Sequence, residues 1–161
     1  MKEESFPEIT QVRQAVEEAY ALYNRAIETD NPELMLEFYR DLTLPDFVEK
    51  GIPGDGRVTC TREQMLAAMR AVAENGTLRL GAPVVAQTQM EGISLEGEAA
   101  VVRLTHRFRT TRAYPVAQRG TVGKRHPVED IDRWEETWQR TSAGWRLAIK
   151  QRLSIRTKLL G

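Results

Sequence analysis

The chain reads as an α+β domain in which three N-terminal helices pack on a mostly antiparallel sheet. Three observations predict this. Apolar residues of the first third recur at helical spacing. The last third holds a Trp-rich strand, a tight turn and a second strand, Trp134 to Ile149. Neither strand–helix–strand alternation nor a Gly-rich phosphate loop occurs, which argues against a Rossmann or P-loop fold.

The elements follow in order. Residues 1–8 are polar and read as loose. From Thr10, a plausible N-cap, Val12, Val16, Ala19, Tyr20, Tyr23, Ala26 and Ile27 form one helical stripe that runs to about Glu28. Thr29-Asp-Asn-Pro32 breaks it. Asn31 as cap and Pro32 at the first helical position start a second helix that buries Leu34, Met35, Phe38 and Tyr39. Phe47-Val-Glu-Lys-Gly51 reads as a short strand and Pro53-Gly-Asp-Gly56 as a turn. Thr61 with Gln64 is a capping box for a third helix, which carries Met65, Leu66, Met69 and Val72 and stops at Asn75-Gly76. Strands are then expected from Leu78 to about Met90 and from Ala100 to Thr110, with turns at Glu91-Gly-Ile93 and Leu95-Glu-Gly97. Residues 111–130 read as a long basic excursion joined by Gly120-Thr-Val-Gly123. The Trp hairpin, with Thr141-Ser-Ala-Gly144 in its loop, closes the fold. Residues 1–161 thus read as one domain, with 1–9 and 153–161 as peripheral tails.

Composition bounds the function. An apolar fraction of 41% and a charged fraction of 29% are those of an ordinary globular protein. No apolar run approaches the roughly 20 residues needed to cross a bilayer, so no membrane partner is expected. The start lacks the apolar stretch of a secretory signal, and the single cysteine, Cys60, fits a reducing compartment; a cytoplasmic location follows. Cys60, His106 and His126 have no ligand spacing, so no metal site and no metal cofactor are expected. Net charge is zero but uneven: residues 1–56 carry 5 basic and 13 acidic side chains, residues 99–161 carry 14 and 5. A neutral whole is a poor polyanion binder, so this reads as an acidic helical layer against a basic sheet, with no nucleic-acid partner.

His106 is the sharpest candidate for chemistry. Ala100, Val102, Leu104, His106 and Phe108 share one strand face, opposite Arg103, Arg107 and Arg109. An inward histidine suits general acid–base work, or it is a hydrogen-bonded core residue. Tyr20, Tyr23 and Tyr39 lie on helical apolar faces, where a hydroxyl either donates to a ligand or completes the core. Asp132, Trp134, Glu136 and Trp138 share a strand face. They form either a ligand wall holding a carboxyl of raised pKa, or an outer dimer face with Glu136 paired to an arginine. The arginine row reads as a solvated face paired with Glu135 and Glu136.

The series Tyr23, Ala26, Asp30, Leu36, Phe38-Tyr39 resembles the opening of the NTF2-like superfamily, in particular its SnoaL-like/DUF4440 members. Asp46-Phe-Val-Glu-Lys50, the Gly-Asp-Gly turn and Thr61-Arg-Glu-Gln-Met65 resemble its middle. Glu136-Thr-Trp138 with Gly144-Trp145-Arg-Leu147 resembles its last hairpin. The resemblance spans about residues 10–152 and implies a cone-shaped fold, a strongly curved sheet around a long helix, a pocket at the wide end, and a homodimer through the outer sheet face. Members include ketosteroid isomerase, scytalone dehydratase, limonene epoxide hydrolase and polyketide cyclases, which implies cofactor-free proton transfer. The cyclases' acid–histidine pair finds only His106 here, and the isomerase's tyrosine and two aspartates find no match. The function expected is binding of a small hydrophobic or aromatic molecule, with His106, Tyr23 and Glu136 as catalytic candidates. Tyr20, Tyr39, Phe47, Met65, Phe108, Trp134 and Trp138 would form the wall, with Met69 and Met90 able to contribute. The alternative is a non-catalytic binding or assembly module working through its open sheet face.

Overall fold

The computed structural model describes residues 2–52, 59–76, 84–113 and 125–160. The expected turn at 53–56, the start of the strand expected from Leu78, and the Gly120–Gly123 link lie outside them. Three helices, α1 (Lys2–Glu28), α2 (Pro32–Asp41) and α3 (Arg62–Asn75), accompany six strands. The strands are β1 (Thr43–Lys50), β2 (Cys60–Thr61), β3 (Val85–Glu96), β4 (Ala99–Ala113), β5 (Arg125–Thr141) and β6 (Gly144–Leu159). One sheet holds all six in the order β2-β1-β6-β5-β4-β3, antiparallel except for β1 on β6. This is the expected α+β architecture, with three helices packed on a mostly antiparallel sheet.

Local chemistry explains the helix ends. Asn31 accepts from the backbone of Glu33 and Leu34 at the start of α2. Thr61 and Gln64 form both halves of the capping box on α3. Gly76 ends α3 at φ 73°, a left-handed conformation that costs glycine nothing. Asp30 takes φ 49° in the break between α1 and α2, which a short polar side chain tolerates. α1 starts at Lys2, not Thr10, so residues 2–8 are helical and Thr10 is not a cap. Likewise β6 runs on through residues 153–159 rather than ending in a tail. Glu91-Gly-Ile93, expected as a turn, lies inside β3.

Irregularities in β3 and β6 decide which side chains face the helices. Between Met90 and Gly92 the β3–β4 register shifts, so Glu91 is the extra residue of a bulge. Ala86, Thr88 and Met90 face inward before it, Ile93 and Leu95 after it. In β6, Trp138 pairs with Leu147 but Thr137 pairs with Ile149, which makes Ala148 extra. Trp145 and Leu147 are therefore inward, and beyond the bulge Lys150 is inward too. The core between the layers is built on Val12, Val16, Tyr20, Phe38, Phe47, Leu104, Trp138 and Leu147, all fully buried. Each such side chain contributes roughly 1.5–3 kcal/mol relative to exposure.

Candidate functional site

Two layers lie on the inner face of the sheet. The deeper one is polar. β5 points Asp132, Trp134, Glu136 and Trp138 inward, so these residues form no outer face, and Glu136 is fully buried. Its carboxylate accepts from Trp138 Nε1 at 3.0 Å and from the Tyr20 hydroxyl on α1. Lys150, 1% exposed, lies 3.6 Å from Glu136 and donates to the Tyr20 hydroxyl at 3.0 Å. Its remaining contact is His106 Nε2 at 3.3 Å. An ammonium has only donors, so Nε2 is the acceptor and the ring proton sits on Nδ1, which donates to Thr88 Oγ1 at 2.7 Å. Asn24 Nδ2 donates to the same Thr88 oxygen at 2.9 Å. The Lys150 ammonium also lies 4.4 Å from the Trp134 ring centre, 4.9 Å from Tyr20 and 5.0 Å from Tyr23. Beside it Arg152 stacks on Trp134 at 4.5 Å and reaches Asp132 at 3.5 Å.

Electrostatics fix the protonation states. Burial raises the Glu136 carboxyl, against the opposing pull of Lys150, Tyr20 and Trp138. Burial, then Lys150 and Arg152, hold His106 well below its usual range, so it is neutral. Burial, joined by Glu136 at Tyr20 and by Glu49 at Tyr23 and Tyr39, raises all three phenols, which therefore stay protonated.

The outer layer is a cavity of about 320 Å³ between the helices and the open end of the sheet. Tyr23, Tyr39, Met65, Met69, Val84 and Phe108 supply most of its apolar wall, with Ile27, Met35 and Val72. Its polar groups are Glu49, Thr110, Asp130 and the two tyrosine hydroxyls. Tyr39 donates to Glu49 Oε1 at 3.3 Å. Tyr23 joins the layers: it lines the cavity and stacks on His106, with ring centres 5.8 Å apart and planes 16° apart. Phe108 also lines the cavity and lies 5.8 Å from His106.

The sequence candidates therefore divide. Tyr23, Tyr39, Met65 and Phe108 line the cavity, as does Met69. His106, Tyr20 and Glu136 meet in the buried layer behind it, with Trp134 and Trp138 as its floor. Those five, together with Phe47 behind Tyr39 and Met90 beside Tyr20, do not line the cavity. Glu136 pairs with Lys150, not an arginine. On the outer sheet face Arg103 pairs with Glu135, while Arg107 and Arg109 pair with Glu129. Lys150, Glu49, Thr110 and Asp130 escaped the sequence reading. Period-two alternation on β1 was the available signal for Glu49; only the bulge reveals Lys150. No described helix is long and apolar enough to cross a membrane. Among the described residues no group of three or more His, Cys, Asp or Glu is placed to hold a metal ion.

No protein-family model matches the chain, and no curated protein matches it significantly. Solved structures do. One is a protein of Novosphingobium aromaticivorans described as a candidate scytalone dehydratase, 12% identical, covering 100% of this chain and 93% of its own, at TM-score 0.64. A hexachlorocyclohexane dehydrochlorinase (LinA, type 2) is 10% identical over 93% of this chain and 89% of its own, at 0.62. An NTF2-like protein with a cystatin-like fold, also from Novosphingobium aromaticivorans, is 20% identical over 91% and 83%, at 0.54. Identities this low speak for the backbone alone, and on that backbone evidence the chain has an NTF2-like, cystatin-like fold.

Proposed function

We propose that this chain is a cytoplasmic, homodimeric pocket protein of the SnoaL-like type. It encloses a small hydrophobic or aromatic molecule and acts on it by cofactor-free proton transfer: isomerisation, cyclisation, dehydration or hydrolysis. The observation that carries the reading is the cavity of about 320 Å³, apolar in its wall yet bearing hydroxyls and carboxylates. That volume falls in the range of about 300–1,000 Å³ usual for ligand sites. An assembly module working through its sheet face calls for a filled interior instead. Two of the similar structures are named a candidate scytalone dehydratase and a hexachlorocyclohexane dehydrochlorinase, and those names agree with proton transfer.

The roles follow from position. Tyr23, kept protonated by burial, is the hydroxyl that polarises a ligand carbonyl or leaving group. Glu49 and Asp130 are the carboxylates in the wall that accept a proton. His106 was the proton carrier expected from the sequence, but its basic nitrogen faces the Lys150 ammonium. In this proposal it is a positioning residue that backs the Tyr23 ring. The exposed Leu153, Ile155 and Leu159 on β6 support the dimer.

Native mass spectrometry against the denatured mass tests the reading. The expected result is a dimer that carries, or takes up, a small aromatic molecule, and a Met69→Trp variant that stays folded but loses it. Uptake unchanged by filling the cavity would refute the pocket. His106→Ala is expected to weaken ligand binding through Tyr23; unchanged affinity removes His106 from the site.

A further inference from the structure

Building on the cavity as a ligand pocket, we propose that its ligand is a hydrophobic amine, bound as the ammonium ion with Glu49 as its counterion. The charges in and around the cavity carry this. The two ionisable carboxyls in its wall are Glu49 and Asp130, and no Lys, Arg or His lines it among the described residues. The cations nearest beneath it are matched within the buried layer: Lys150 by Glu136 and Arg152 by Asp132. At the Glu49 end of the cavity a ligand therefore meets a carboxylate with no described cation paired to it.

Glu49 stands next to Lys150 in no useful sense. The β1–β6 register places Glu49 opposite Lys150, but the ammonium points away to Glu136, Tyr20 and His106. Glu49 accepts a hydrogen bond from Tyr39 and makes no ion pair with a described residue. A half-buried carboxylate at an apolar wall is costly to desolvate unless a cation comes with the desolvating ligand. The rings of Tyr23, Tyr39 and Phe108 supply faces that attract such a cation, and Met65 and Met69 adapt to its apolar body. An anionic ligand would meet the Glu49 carboxylate in the same wall. The buried layer already shows that this molecule holds an ammonium by the same means, since Lys150 sits among three aromatic rings and a carboxylate. With Glu49 holding the ligand, Tyr23 and Asp130 are left for proton transfer.

The test is calorimetric titration of the full chain near neutral pH with phenethylamine, phenethyl alcohol and phenylacetate, which match in size and differ in charge. The amine is expected to bind about ten-fold tighter than the alcohol, with phenylacetate weakest. Glu49→Gln should bring the amine down to the level of the alcohol and leave the alcohol unchanged. Glu49→Ala gives a second reading of the same loss if the first variant does not fold. Equal binding of amine and alcohol, or tightest binding of phenylacetate, overturns the charge preference while the pocket stands. Binding of none of the three overturns the pocket and the amine together.

Discussion

Lys150 brings a full charge to a place where it is 1% exposed, hydrogen-bonded to Tyr20 and His106 and ion-paired with Glu136 at 3.6 Å. A pair buried this deeply adds little net stability, but losing one partner leaves a buried charge uncompensated. Lys150→Met should therefore destabilise the fold by about 3–5 kcal/mol. Adding Glu136→Gln should restore most of that loss, and a urea-unfolding cycle of the two variants measures the coupling. His106 was legible in the sequence, because Ala100 to Phe108 alternates without interruption. Lys150 was not, because nothing in the run from Gly144 to Leu159 announces that Ala148 is an extra residue. Bulges are set by the partner strand, and a single strand's pattern does not contain its partner.

The helices show the opposite case. Asn31, Thr61 with Gln64, and Gly76 act on backbone within four residues of themselves, so their chemistry reads directly from the chain. Thr61→Ala removes an acceptor for the Gln64 amide and should cost about 1 kcal/mol. The expected signature is a lower urea midpoint at unchanged slope, since the cap alters stability and not the surface exposed. Polarity, which made residues 1–8 look loose, was a poorer guide. α1 extends to Lys2, and at that end Glu8 pairs with Arg140 of β5 at 2.9 Å. An ion pair between distant segments leaves no trace in local composition.

For the molecule as a whole, the groups with shifted pKa values divide its pH dependence into two limbs. His106 titrates in the folded state well below its ordinary value of 6.5. As pH falls through that value, the unfolded chain takes up a proton that the folded one refuses. Stability should drop by at most about 1.4 kcal/mol per pH unit from this group, and His106→Gln should flatten that limb. Glu91 and Glu129 are held below the ordinary 4.5, Glu91 chiefly by Thr105 and Glu129 chiefly by Arg109. Their contribution is present above that value and is lost as pH falls toward their lowered values. Glu136, raised by burial, runs the other way: its contribution is present at low pH and is lost as pH rises through its folded value. Thermal midpoints measured across the acid range should show the histidine limb first, then the carboxylates. The overall architecture was legible because α1 to α3 and the hairpin β5–β6 are local. The cavity was not, because its wall takes residues from all three helices and from strands far apart in the chain.

The parallel seam between β1 and β6 joins an early strand to the last one, and Gln151 bonds to the carbonyl of Gly51 across 100 residues. A ribosome delivers β1 long before β6 exists. Until Gly144–Leu159 emerges, β1 has among the described residues no strand neighbour beyond the two residues of β2. Contacts of such long range close slowly. The nascent chain therefore carries an unpaired strand edge through most of its synthesis. The finished molecule becomes secure only with its last strand.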